Sequence, residues 1–424
     1  MAFRAPLFFL TGLVWLLLSA AVGLALFLGI VLGHPLPSFL RLLHVHGALV
    51  GGVAQLILGA LLAFIPALQM SGRNRPESHP ILYVFINAGA FGMLMGFGVG
   101  EPKLVGASGI FVILTFLALS GDAIWYGRRS LVSPPLSLWF YGLAILALLV
   151  GLVAGESMAF RLISPARLEQ IRLSHIHLNL LGFMTLTIIG TMHTLFPTIL
   201  NARLHSARLA YLTFFLLPVG IVGLVAGFLL SQVWVQLASG LIVLAGVALY
   251  ASNIVGTWLE AGRPSHVAAE HLLVATFFLI LAVVGGLLVT VNHLSDPPAV
   301  PFGTLHLVAY THLALIGFVF QTIVGALSHL LPILLAVRRV KSNKKRGPYL
   351  ARLTALMERW RPIQVGTLSL GTMGLGLVAA LVWQVPMTGL VVQATSWISA
   401  ALLLVGIGVF AVKVALAVGS QPEP

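Results

Sequence analysis

The sequence predicts an all-α integral membrane protein of twelve transmembrane helices, arranged as three pseudo-three-fold blocks of four. Three observations predict it. Of 424 residues, 59% are hydrophobic and only 8% charged, the composition of a polytopic helical membrane protein. Twelve apolar stretches are long enough to cross a bilayer, at roughly 6–33, 39–66, 80–100, 107–127, 136–158, 172–200, 207–230, 233–257, 268–292, 303–336, 363–384 and 389–417. One pattern then recurs in the second, sixth and tenth of these spans, four spans apart each time. The expected organisation is one polytopic domain, 1–424, with repeat blocks near 1–130, 131–260 and 261–424.

The repeated pattern starts at His46, His177 and His312. A Gly follows at +5 (Gly51, Gly182, Gly317), another at +13 (Gly59, Gly190, Gly325) and a Pro at +20 (Pro66, Pro197, Pro332). Four fixed positions kept three times without a gap mark an internal repeat. Small residues let helices approach closely, and each Pro is expected to end or bend its helix. A His inside a membrane span is costly and is a functional-site hypothesis by default.

A formal charge of +13 invites a nucleic-acid reading, but its distribution argues against one. The even-numbered connections and the termini carry 18 of the 23 Lys and Arg; the odd-numbered connections carry Arg41, Lys103, Arg161, Arg167 and Arg172. This bias places both termini in the cytoplasm. The longest connection, about 338–362, reads as a basic cytoplasmic loop facing anionic lipid. The first span has only Arg4 ahead of it, exceeds a signal-peptide core and reads as a retained helix. The chain has no Cys, which excludes disulfides, thiolate-held iron–sulfur clusters, covalent c-type haem and thiolate copper centres within it.

Three imidazoles on three helices at one level can converge on a metal or on haem iron, because neutral imidazole is the commonest metal ligand. The alternative is a trio of interhelical hydrogen bonds. Two copies carry a further His two positions earlier, His44 and His175; the third has Tyr310 there. Residues at i and i+2 face nearly opposite sides of a helix, so one helix can serve two sites. A second set (His193, His205, His266, His271 and His329) lies toward the other side. There Glu270 beside His271 reads as a proton-entry pair, a second metal site or a solvated interfacial pair. No Lys is read in mid-membrane, and the ten carboxylates fall at span ends or in connections.

Twelve helices with candidate ligands on the second, sixth and tenth resemble subunit I of the haem–copper oxidase superfamily. Tyr310-Thr-His312, Gly325 and His329-Leu-Leu-Pro332 resemble that family's tenth helix, His177 with its Gly and Pro the sixth helix of the cbb3-type branch, and Arg41-Leu-Leu-His44-Val-His46-Gly47 the second. The resemblance implies a haem of b-type or related kind, one or two in number. It implies low-spin haem ligation by His312 and His46, with His44 competing, and a metal ligand at His177. Arg41 and Arg172 would then meet propionates. The departures are as specific. The high-spin haem ligand position is Tyr310, the seventh helix lacks the family's His pair, and the Arg residues expected between the last two helices are missing. An ordinary three-His copper site and coupled proton pumping are therefore not expected. The superfamily includes oxygen reductases and nitric oxide reductases, and its divergent NnrS-type relatives are similar in length and helix count.

The function expected is a haem-binding membrane redox protein in a bacterial or archaeal cytoplasmic membrane. It would transfer electrons from a quinol, a cytochrome or a partner subunit. A second haem or metal would use His175 or His177, with Tyr310 and His306 as candidates for O2 or NO reduction. The alternatives are a His-lined transporter or metal-ion pathway, which would be colourless, and a non-catalytic membrane subunit.

Overall fold

The structure, a computed structural model, describes residues 5–69, 79–130 and 132–422; Arg4 lies outside them. Among the described residues there is no strand, and twelve helices are long and apolar enough to cross a membrane. They are Pro6–Val31, Phe39–Leu68, His79–Val99, Pro102–Gly127, Leu136–Ala159, Pro165–Ile199, Ala207–Leu229, Val233–Glu260, Val267–Asn292, Thr304–Arg339, Arg361–Leu381 and Leu390–Gly419. The fourth and sixth begin earlier than expected. Each opens on a Pro, Pro102 or Pro165, where a missing N–H costs nothing. Glu101 also caps the fourth by accepting from the Lys103 N–H at 3.2 Å.

The chain forms two compact units. One comprises Met1–Thr191 with Pro218–Ser239, the other Met192–Leu217 with Gly240–Pro424. The unit boundaries pass through the sixth, seventh and eighth spans, so the second repeat block is shared between them. The three motif spans are the most enclosed helices: 67, 78 and 61% of their most apolar windows are buried, against 22–44% for the other nine.

The repeated glycines explain that enclosure. Each motif span packs antiparallel on the span before it, and both glycines face that neighbour. A Cβ on Gly51 would lie 2.7 Å from Trp15 Cγ, and one on Gly59 2.8 Å from Phe8 Cβ. In the second copy, Gly182 meets Ala147 Cβ at 2.6 Å and Gly190 meets Phe140 Cβ at 2.4 Å. In the third, Gly317 meets Phe278 Cγ at 2.5 Å and Gly325 meets Leu272 Cγ at 2.9 Å. Side chains of the preceding helix fill the room the glycines leave, so close approach and burial of apolar surface are won together.

Two expectations change. Pro66 and Pro197 stand two residues before their helices end, but the third-copy helix runs on past Pro332 to Arg339. Arg339 holds that extension by donating to the carbonyls of Val418 and Ser420, both at 2.6 Å. The basic connection is not a loop: Asn343–Glu358 is helical, and it buries Tyr349, Leu353 and Met357.

At the end of this helix, Glu358 accepts from the Val267 N–H at 3.0 Å, which opens the ninth span. His266 caps the same span, its Nδ1 accepting from the Ala269 N–H at 3.2 Å. Burial pushes the His266 imidazole below its ordinary value and Arg361 adds to this, against the pull of Glu358 and Glu270. Both the cap and the burial require a neutral ring.

Two predictions follow from this packing. Gly190→Val drives a branched side chain into Phe140, which is fully enclosed, and should cost about 1–3 kcal/mol by overpacking; Gly376→Ala, in open space, should be neutral. Thermal unfolding in detergent compares them. For His266, the folded protein binds a proton less readily than the unfolded chain. Its contribution is therefore complete above the ordinary His range and is lost as pH falls below it. His266→Asn, an uncharged cap, should flatten the difference in melting temperature between pH 7.5 and pH 5 relative to the wild type.

Candidate functional site

Each motif His ends an α-helical segment, and each is followed at once by a π-helical stretch: Gly47–Ala54, Leu178–Thr185 and Leu313–Phe320. Such i→i+5 segments cluster at functional sites. The Thr185 hydroxyl bonds to the Leu180 carbonyl five residues back at 2.9 Å, the side-chain counterpart of that wider turn. The +5 Gly of each copy falls inside the stretch, where the helix meets the span before it.

The three motif imidazoles are oriented alike. Nδ1 of His46 lies 3.0 Å from the Leu42 carbonyl, that of His177 2.8 Å from Leu173 and that of His312 2.7 Å from Val308, four residues back in every case. A carbonyl only accepts, so each ring carries its proton on Nδ1 when neutral, and Nε2 keeps its lone pair. A ring N–H tied to a carbonyl is the arrangement that fixes tautomer and raises basicity in metal-ligating His. Phe97 packs on His46 at 4.6 Å between centroids and Phe228 on His177 at 4.5 Å, both tilted 45°. All three rings are half-buried.

The residues two positions earlier do something different, and the same thing in each copy. His44 docks on the first span. Its Nδ1 is 2.8 Å from the Ser19 carbonyl, the Ser19 hydroxyl donates back to the His44 carbonyl at 2.6 Å, and Gly23 leaves space that a Cβ would fill 2.4 Å from the ring. His175 docks on the fifth span with Nδ1 2.7 Å from the Gly151 carbonyl, against Gly155. Tyr310 lies against Gly285 and Gly286 of the ninth, its hydroxyl 2.9 Å from where a Gly286 Cβ would stand. The two readings of the histidines, ligands or interhelical hydrogen bonds, thus divide by position. The companions tie helices together, while the Nδ1 of each motif His turns back to its own helix.

His175 is close enough to His46 for charge on one to act on the other. Among the described residues no three His, Asp or Glu side chains are placed to hold one metal ion by themselves. Arg172 is held by Glu169 at 2.7 Å on the helix surface, so it is committed to an ion pair, while Arg41 is exposed at the start of the second span. His306 is a helix cap: its Nδ1 accepts from the Gly303 N–H at 3.0 Å and its ring stacks on Trp383 at 4.7 Å.

The second set of histidines does not form one site. His193 meets the Tyr250 ring edge-on at 5.8 Å, and His205 pairs with Glu260 at 2.6 Å. Glu270 and His271 are not a pair. Glu270 accepts from Ser265 at 2.7 Å and faces Arg361 at 3.5 Å, whereas His271 points inward to Gln321 and Gln364.

Sequence reasoning missed three parts of this arrangement. The π-helical stretches leave no periodicity that composition reveals. Phe97 and Phe228 each stand 51 residues after their His, a spacing that was readable. Lys413, near the end of the twelfth span, is fully buried.

Each motif imidazole has its Nδ1 satisfied by its own helix, and a neutral imidazole fixed in this way is a donor type that fits haem iron. The chain matches the cryo-electron microscopy structure of a haem–copper terminal oxidase dimer with a TM-score of 0.69 and 10% identity, over 100% of this chain and 86% of that one. No family model matches the sequence, and no curated protein does. Twelve apolar helices in this arrangement make the chain an integral membrane protein with the fold of subunit I of the haem–copper oxidases.

Proposed function

We propose that this protein is a haem-binding membrane redox protein whose function is electron transfer. The observation that carries the reading is the shared preparation of three intramembrane imidazoles, each held through Nδ1 by its own i−4 carbonyl. His46 and His312 are the proposed axial ligands of a b-type or related haem. A haem iron with two imidazole ligands has no open position and supplies one-electron transfer. The chain's own part is to fix ring orientation and proton position before any ligand binds, and to exclude water through the glycine-seated packing of the motif spans.

His177 is prepared identically and is the candidate for a second haem or metal. Reduction of O2 or NO needs a centre with an open position. Tyr310 and His175 are occupied in docking helices and His306 in capping one, so electron relay is the function the geometry supports best. With no Cys in the chain, electrons would enter from a quinol, a cytochrome or a partner subunit in the same membrane. The excess of Lys and Arg in the even-numbered connections supports cytoplasmic termini.

Reduced-minus-oxidised spectroscopy with metal analysis on the purified protein tests this directly. The wild type should show a low-spin haem spectrum. His46→Gly and His312→Gly should lose it while remaining monodisperse, and added imidazole should restore it. His44→Ala should keep the spectrum, because its ring is spent on Ser19. A colourless, metal-free wild type would overturn the reading in favour of a transporter or a non-catalytic subunit.

A further inference from the structure

Five side chains from four helices of the second unit form one buried hydrogen-bonded chain. Lys413 of the twelfth span donates through Nζ to the Met357 carbonyl at 2.8 Å and to Gln364 Oε1. Gln364 of the eleventh donates through Nε2 to His271 Nε2 at 3.1 Å. His271 of the ninth donates through Nδ1 to Gln321 Oε1. Gln321 of the tenth donates to Ser369 at 3.2 Å, and Ser369 to the Val365 carbonyl at 2.6 Å. Lys413, Gln364, His271 and Gln321 are all fully buried.

Two features separate this chain from ordinary packing glue. Every member donates in the same direction, from Lys413 inward, so the bonds polarise one another. Its two ionisable groups, Lys413 and His271, are joined by a single carboxamide, which presents oxygen to one and nitrogen to the other. A half-turn of the Gln364 amide gives an equally satisfied arrangement. Its nitrogen then donates to a neutral Lys413 amine and its oxygen accepts from a protonated His271.

We propose that Lys413, Gln364 and His271 form a proton-holding switch, one proton residing on Lys413 or on His271 according to which way the Gln364 amide faces. In the exchange one N–H bond of the Lys413 ammonium breaks and one N–H bond forms at His271 Nε2. The pair keeps a single positive charge and no electron moves. Glu358, a third exposed, supplies the facing negative charge and the way in from the surface: it acts electrostatically on Lys413 and follows Met357, whose carbonyl Lys413 holds. The other charged or titratable groups nearby are His266 and Glu270 at the start of the ninth span, Arg361 at the start of the eleventh and His329 of the tenth; Arg361 pairs with both Glu270 and Glu358 at 3.5 Å. Ionisable groups enclosed in membrane helices characteristically pair or relay protons. This inference stands apart from the redox reading.

The test measures how fast the His271 ring proton exchanges with D2O, by solid-state NMR of protein labelled with 15N-histidine in bilayers, with His271→Asn identifying the signal. Exchange should be complete within minutes in the wild type despite full burial. Lys413→Gln keeps a donor to the Met357 carbonyl but carries no mobile proton; it should slow exchange at least ten-fold. Gln364→Leu should do the same, whereas Gln364→Glu, which accepts from both neighbours, should restore it. Wild-type rates in both Lys413→Gln and Gln364→Leu, in monodisperse protein, would overturn the switch. So would a wild-type ring proton that persists for hours. The measurement needs no haem, so a colourless protein that still exchanges would sink the redox proposal and leave this one intact.

Discussion

A polar ring inside a membrane helix must satisfy its N–H without water, and how it does so decides what the ring is free to do. An imidazole that reaches across to another helix spends itself on packing. One that turns back to the carbonyl four residues earlier satisfies its N–H at home. His46, His177 and His312 take the second course; His44 and His175 take the first. Two residues of separation on one helix therefore divide structural from candidate functional histidines. The division holds in each copy, even though the third replaces the docking His with Tyr310.

The glycines make that division possible. With Gly23 and Gly155 on the preceding spans, an imidazole can lie flat against a neighbouring backbone. With Gly at +5 and +13 of the motif span, the same two helices close over Trp15 and Phe8 in the first copy and over Phe278 in the third. Each helix pair is thus notched on both partners. The π-helical stretch sits where the two demands meet, after the His that must be oriented and around the Gly that must be seated. An extra residue in the turn resets the face that the rest of the span presents, at the cost of poorer helix geometry.

Much of this was legible in the sequence because it repeats. Span number, the place of the motif on spans two, six and ten, and the pairing of a motif His with a companion two residues earlier all follow from spacing. What spacing does not carry is direction. The i, i+2 argument puts His44 and His46 on different faces, but the sequence does not show that Ser19 and Gly23 await one of them. Equal depth along three helices likewise fixes height and leaves rotation open. The 338–362 connection read as a loop because its positive charges dominate, although Tyr349, Leu353 and Met357 recur four residues apart and form the buried stripe of a helix.

The second unit shows the limit of reading residues singly. Lys413 is two turns from the end of its span, a place where Lys ordinarily snorkels to the interface. Its Nζ instead turns inward, because the Met357 carbonyl and the Gln364 amide offer acceptors there and the helix Asn343–Glu358 closes off the outside. That closure also fixes which way the remaining polar groups point. With Lys413 donating, Gln364 must present oxygen outward and nitrogen inward, which leaves His271 to accept on Nε2 and donate on Nδ1. One inward-turned ammonium thus sets the direction of every bond beyond it. A half-turn at Gln364 would leave every partner satisfied only if the proton had also moved, and that requirement is what couples amide orientation to charge position.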